Sequence, residues 1–323
     1  MKDFIPPVLL RNHHVQSVLN SVKLRKPIVK LRAKGMLHAS RQHIIDCGDG
    51  VRLQGFYSGH NLGSDDLCIL IHGWEGSADS SYLISAAGFL WNKGLNVFRL
   101  NLRDHGDSHH LNKELFHSCR IAEVVGAVKS VEKKFPHKRL LLGGFSLGGN
   151  FALRVAVRAP GAEICLDRVV AMCPVLNPKH TMEAMENGLF IYHWYFMKKW
   201  RRALEIKRSY FPELDALKNI PRFRKISDMT DYFVRKFTEF PDLYTYLNGY
   251  TITGEALAHL QIPSTIIASI DDPVIPAKDI QKLATPECLK IETTQYGGHC
   301  GFLENFRLLS WADHKMAEIF QIQ

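Results

Sequence analysis

Ser146 lies in Gly143-Gly144-Phe145-Ser146-Leu147-Gly148-Gly149, a G-x-S-x-G pattern between an apolar run at 140–142 and a helical run at 151–157. A serine on so sharp a strand-to-helix turn needs small flanking residues. The turn lifts Oγ above the sheet, and the helix N-terminus behind it favours negative charge. A hydroxyl is a weak nucleophile until a base takes its proton and an acid orients that base. Both types occur downstream in the order Ser, Asp, His: Asp271-Asp272-Pro273-Val274-Ile275-Pro276 and Tyr296-Gly297-Gly298-His299-Cys300-Gly301-Phe302. Upstream, His72-Gly73-Trp74-Glu75-Gly76 follows another apolar run, so the Trp74 N–H, with that of Leu147, is placed to receive a developing oxyanion. His72 itself reads as a structural group packed under the turn. Such a set performs acyl transfer to water through an acyl-enzyme, with no cofactor and no metal.

These residues need strands that end where they begin. Short apolar, β-branched runs at 43–46, 51–57, 67–72, 95–101, 139–144, 167–173, 264–270 and 288–294 predict eight strands. Amphipathic stretches near 78–93, 117–135, 147–159, 277–284 and 303–320 predict helices between them. Cys47-Gly48-Asp49-Gly50 signals a hairpin between the first two strands. The later alternation of strand and helix predicts a mostly parallel sheet with helices on both faces. In open sheets of that kind, sites lie at the C-terminal strand ends, where the Asp and His motifs fall. From 177 to 258 no strand pattern appears. Residues 190–250 hold 16 of the 33 aromatics, which reads as a helical lid inserted before the acid-bearing strand. The expected organisation is thus a basic N-terminal segment (1–42), a first core part (43–176), the lid (177–258) and a second core part (259–323).

The chain has 323 residues and a formal net charge of +9. Residues 1–41 carry net +8 and residues 194–236 net +7, so the rest is −6. Two basic stretches on an acidic body point to a solvated helix face or to peripheral contact with an anionic membrane surface. Nucleic acid is not an expected partner, because no binding module accompanies the charge. Seven scattered Cys without a C-x-x-C pair argue against a disulfide framework or structural zinc, and no secretory leader is evident, so a cytoplasmic protein is expected. The run Arg103-Asp104-His105-Gly106-Asp107-Ser108-His109-His110 offers metal-ligand types, but a turn after a strand is the simpler reading.

The motifs resemble the α/β-hydrolase fold, and more narrowly its YheT-like branch of lipid esterases. Asn12-His13-His14-Val15-Gln16-Ser17 is similar to that branch's N-P-H-L-Q-T. His72-Gly73, Asn101-Leu102-Arg103, Asp271-Asp272-Pro273 and Gly297-Gly298-His299-Cys300-Gly301-Phe302 match it as well. The resemblance implies Ser146 as nucleophile, His299 as base and Asp272, in preference to Asp271, as acid. It implies a carboxylic ester hydrolase acting on a small-molecule ester or lipid. Acyl transfer, thioester cleavage and a non-catalytic membrane-associated scaffold are the competing functions. An imidazole base would give a rate rising around an apparent pKa of roughly 6–7. Two positions depart from the branch pattern: His13 stands where it has Pro, and Asp104 where Gly is usual.

Overall fold

The computed structural model describes residues 4–21, 25–60, 65–214, 217 and 220–322. Lys2, Asp3, Lys23, Asp215 and Lys218, counted in the two basic stretches, lie outside the described residues. Eight strands form one sheet: β1 (Ser40–Asp46), β2 (Arg52–Ser58), β3 (Leu67–Ile71), β4 (Asn96–Leu100), β5 (Leu140–Phe145), β6 (Leu166–Met172), β7 (Ser264–Ser269) and β8 (Leu289–Thr294). Their order is β1-β2-β4-β3-β5-β6-β7-β8. β1 and β2 form the expected hairpin, and β2 also runs antiparallel to β4; the other neighbours are parallel. The chain steps from β3 to β4 on one side and then returns to β5 on the other. Between β3 and β5 the strand order therefore reverses, and loops leaving those two C-terminal ends diverge to open a crevice.

The wholly apolar run of β3 and the apolar start of β5 are buried along the whole strand, and so are β4 and β7, which also carry polar residues. Helices cover both faces. Val124, Ala127, Val128 and Val131 of α5 (Ile121–Lys134) and Phe151 and Leu153 of α6 (Leu147–Arg158) join the core on one side. On the other side lie Leu83, Ile84 and Leu90 of α4 (Ser81–Asn92) and Met316 of α11 (Trp311–Ile319). The last helix starts eight residues later than the pattern at 303 suggests. Asn305 Oδ1 accepts from the N–H groups of Arg307 and Leu309, and this side-chain turn competes with helix.

The basic N-terminal stretch is internal to this architecture. Its helices α1 (His13–Ser21), α2 (Arg25–Arg32) and α3 (Lys34–Ala39) lie against α4, and Val29, Ala33 and Met36 share that side's core. The approach is close enough that a Cβ on Gly88 would sit 2.6 Å from Ala33 Cβ. The sheet itself begins at Ser40, before residue 43.

Between β6 and β7 come α7 (Pro178–Asn187), α8 (Phe190–Tyr210), α9 (Ile226–Phe237) and α10 (Leu243–Asn248). Met185, Trp200, Leu204, Met229 and Phe233 belong to the same apolar cluster as α5 and α6, so the insertion is packed onto the sheet domain. A buried charge anchors it. Lys207 Nζ is 2.8 Å from Asp104 Oδ1 and also donates to the carbonyls of His109, Asn112 and Glu114. This explains the acid where glycine is usual: Asp104 adopts the left-handed turn (φ +57°) and holds the insertion's lysine. Among the described residues, no helix is long and apolar enough to cross a membrane.

Candidate active site

Ser146 begins where β5 gives way to α6, with φ +55° and ψ −120°. A non-glycine residue reaches that conformation only when its surroundings fix it. Here the Ser146 N–H donates to Met172 O at 2.8 Å, and the flanking glycines permit the crossing. A Cβ at Gly144 would lie 2.1 Å from Gly148 O, and one at Gly148 would lie 2.3 Å from Ile71 O.

His299, from the loop after β8, presents both ring nitrogens. Nε2 is 2.9 Å from Ser146 Oγ and Nδ1 is 2.9 Å from Asp272 Oδ2. The other Asp272 oxygen accepts from the N–H groups of Val274 (2.7 Å) and Ile275 (2.9 Å), which fixes the carboxylate's orientation. The neighbouring acid is engaged elsewhere, since Asp271 Oδ1 accepts from Gly298 N at 2.8 Å and from Ser269 Oγ. Of the two acids, Asp272 contacts the imidazole, while Asp271 braces the loop that carries it.

Burial pulls the His299 imidazole down, but the Asp272 carboxylate and Cys300 push it up further, to about 9. The carboxylate lies 2.9 Å away in a place where water screens little, so its effect outweighs burial.

The loop after β3 passes directly over the serine, since a Cβ on Gly73 would be 3.1 Å from Ser146 Cβ. Tyr82 OH accepts from Gly73 N at 2.9 Å. His72 is fully buried, with Nδ1 2.7 Å from Gly73 O and Nε2 accepting from Leu102 N at 3.1 Å, so its role is structural. His105 repeats the device on Arg103 O and Glu75 N. Among the described residues, neither the Trp74 nor the Leu147 N–H donates to a protein acceptor. Trp74 and Leu147 line the same cavity as Ser146.

The Asp104–His110 stretch does not gather ligands. Asp104 is taken by Lys207 and Phe116 N, and both His105 nitrogens are in use. The cluster of metal-ligand type that does form among the described residues is Cys173, His299 and Cys300. Both His299 nitrogens are already engaged there, which leaves no lone pair for an ion.

Sequence reasoning missed the N-terminal brace. Ser17 Oγ accepts from His299 N at 2.8 Å. Gln16 donates to Leu10 O and Leu303 O and accepts from Leu303 N at 2.7 Å. Asn20 donates to Cys300 O. Gln16, Ser17 and Asn20 share one face of α1 at helical spacing, and that polar stripe in an otherwise apolar contact was the available signal.

Two cavities meet at Ser146. One, of about 90 Å³, is lined mainly by apolar groups that include Trp74, Leu147, Val175, Met185 and Phe196. The other, of about 490 Å³, is lined by Gly73, Tyr195, Lys199, Arg202, His299 and Cys300 among others.

Residues 67–306 match the family described as alpha/beta hydrolase fold. The chain is similar to the Escherichia coli (strain K12) protein named "Putative esterase YheT", at 23% identity over 93% of this chain and 87% of that protein. It is similar to "Monoacylglycerol lipase ABHD2" of Danio rerio at 24% identity, over 97% of this chain and 78% of that one. Among solved structures, the Pyrococcus furiosus esterase Pf2001 superposes with a TM-score of 0.57 at 17% identity, covering 87% of this chain and 91% of that chain.

Proposed function

This chain belongs to the α/β-hydrolase-fold family, and we propose that it is a serine hydrolase of carboxylic esters acting through Ser146, His299 and Asp272. The observation that carries the reading is the unbroken hydrogen-bonded line from Ser146 Oγ through both His299 nitrogens to Asp272 Oδ2. Ser146 Oγ attacks the acyl carbonyl while His299 Nε2 takes its proton. Asp272 holds the imidazolium that forms, and the Trp74 and Leu147 N–H groups receive the oxyanion. His299 then protonates the leaving alcohol, and water repeats the sequence on the acyl-enzyme.

The smaller, more apolar cavity suits the acyl group and the larger, less apolar one the departing alcohol. At about 90 Å³ the acyl side favours short to medium chains unless the insertion moves. The helices of 177–258 act as the lid over this crevice. Peripheral contact with an anionic membrane is supported by exposed Leu189, Phe190, Ile191 and Trp194 at the start of α8, with Lys198 Nζ 4.8 Å from the Trp194 ring centre.

Hydrolysis of p-nitrophenyl esters from acetate to palmitate tests the reading. The rate should peak on short or medium acyl chains, and Ser146→Ala should lower kcat by about 10³-fold or more with the fold intact. Hydrolysis of none of the esters, or a Ser146→Ala variant as fast as the parent, refutes it.

A further inference from the structure

Cys173 follows the end of β6 and Cys300 follows His299, so two distant segments bring two thiols to one place. Both sulfurs and a His299 ring nitrogen lie within 4.8 Å of one another. The thiols interleave with each other's segments: Cys173 Sγ is 3.9 Å from Gly298 O and Cys300 Sγ is 3.7 Å from Met172 O. Both residues are buried and both are in the left-handed backbone region, at φ +43° and +56°. Cys300 also lines the larger cavity, which gives a small solute a route to it.

We propose that Cys173 and Cys300 form a thiol pair that a hydroperoxide converts to a disulfide, displacing His299 from Ser146 and switching the site off. The effect on activity rests on the ester-hydrolase reading; the cross-link itself does not. In the first step the Cys300 thiolate attacks the hydroperoxide. An S–O bond forms, the O–O bond breaks, and the alcohol or water leaves, giving a sulfenic acid. Cys173 sulfur then attacks Cys300 Sγ, so that an S–S bond forms, the S–O bond breaks and water departs with the Cys173 proton. The two thiols lose two electrons and the hydroperoxide gains them.

Cys300 is the better attacking group. Burial pushes its thiol up, but the Cys173 hydrogen bond and the neighbouring His299 bring it below the ordinary thiol value. Burial and Cys300 raise Cys173 well above it. To bond, the sulfurs must close to about 2.05 Å. Cys173 is held in the sheet by its N–H to Ile267 O at 2.7 Å, whereas the loop of Cys300 contains Gly297 and Gly298 at φ +144° and +54°. Cys300 is the next residue after His299, so drawing its sulfur toward Cys173 also draws the imidazole away from Ser146.

The test treats reduced, full-length protein with a small excess of hydrogen peroxide. Mass spectrometry after denaturation and alkylation maps any cross-link, and p-nitrophenyl butyrate hydrolysis is followed alongside. The expected result is a peptide pair joined through Cys173 and Cys300, a loss of two hydrogens, and activity reduced about tenfold or more and restored by dithiothreitol. In Cys173→Ser the same dose should leave a sulfenic acid on Cys300 that dimedone captures, with no cross-link. Both thiols still alkylated after peroxide, a cross-link through other cysteines only, or a Cys173–Cys300 bond with unchanged activity would each overturn the proposal. Reduced protein that hydrolyses no ester and resists a fluorophosphonate would instead sink the hydrolase reading; the mapped bond would then decide the thiol pair by itself.

Discussion

The N-terminal stretch and the inserted helices carry nearly the same excess of positive charge and the same mixture of bases with large apolar residues, yet the base that each buries among the described residues ties down a different part of the molecule. In the first, Arg25 is buried while Arg11, Lys30, Arg32, Lys34 and Arg41 are exposed. Arg25 is 1% exposed, with its guanidinium on Asn20, Ser85 and Leu308 O, beside the Asp313 carboxyl that burial pushes up to about 6. Arg32 donates to Arg307 O at 2.6 Å. These contacts tie α2 to residues 307–308, while α1 holds the His299 loop. In the insertion, Lys198, Arg202 and Arg208 are exposed, and Lys207 alone among the four is buried. Composition counts charge; only packing tells which charges have been spent on holding the molecule together.

The largest effect should come from Lys207, the one cation that the insertion buries among the described residues. Lys207→Ala leaves Asp104 buried without its partner, and we expect a loss of about 3–5 kcal/mol in urea unfolding. Burial pushes Asp104 up and Lys207 down, and each charge offsets the penalty on the other. A loss under about 1 kcal/mol would mean that water reaches this pair and that the insertion is anchored by its apolar contacts alone.

A smaller but more telling effect concerns the N-terminal brace. Gln16→Leu removes three hydrogen bonds to residues 10 and 303. With the His299 loop loosened, kcat on a small soluble ester should fall about tenfold with KM little changed. Arg201→Gln, which removes a contact to Phe223 O within the insertion, should leave that kcat unchanged. Equal effects of the two variants would erase the proposed division between brace and cover.

The smallest effect is at the surface. Lys199 and Arg201 each donate to a backbone carbonyl, so Lys198 and Arg202 are the bases on that turn of α8 free to meet a membrane. Replacing those two with Gln should weaken binding to phosphatidylserine vesicles by about 1 kcal/mol each at low salt. Lys30→Gln with Lys34→Gln, on α2 and α3, should weaken it less. Sedimentation with vesicles at two salt concentrations decides the matter, and an equal loss from both pairs would assign the attraction to net charge alone.

What the sequence made legible follows from how local each signal is. The central strands β3 and β5 are apolar runs because they are buried along their whole length; Ser146 announces itself through glycines that the crossing of β5, α6 and β3 demands. The resemblance preferred Asp272 to Asp271, and geometry shows why: both carboxylates accept hydrogen bonds from this loop system, but Asp272 is the one that reaches the imidazole. Gln16 and Leu303, or Cys173 and Cys300, become partners through the closing of the fold; the helical spacing of Gln16, Ser17 and Asn20 marks a polar face but does not name what it meets. Most described bases of the two basic stretches are exposed, as a solvated helix face reads; pattern could not show that Arg25 and Lys207 are buried, because that depends on neighbours distant in sequence.

The central claim is that Ser146 is a nucleophile activated by His299, and the pH dependence of fluorophosphonate labelling tests it most directly. Attack by Oγ on phosphorus expels fluoride and leaves an adduct that peptide mapping can locate. The base must be neutral to act, and the Asp272 carboxylate raises His299 to about 9 against burial. Protonated imidazole therefore dominates at neutral pH, and the labelling rate should climb as pH rises toward and through about 9. The expected outcome is one adduct per chain, on Ser146, formed at a rate that increases with pH. Labelling on another residue, none at all, or a rate at Ser146 that stays flat from pH 6 to 10 would contradict activation by His299.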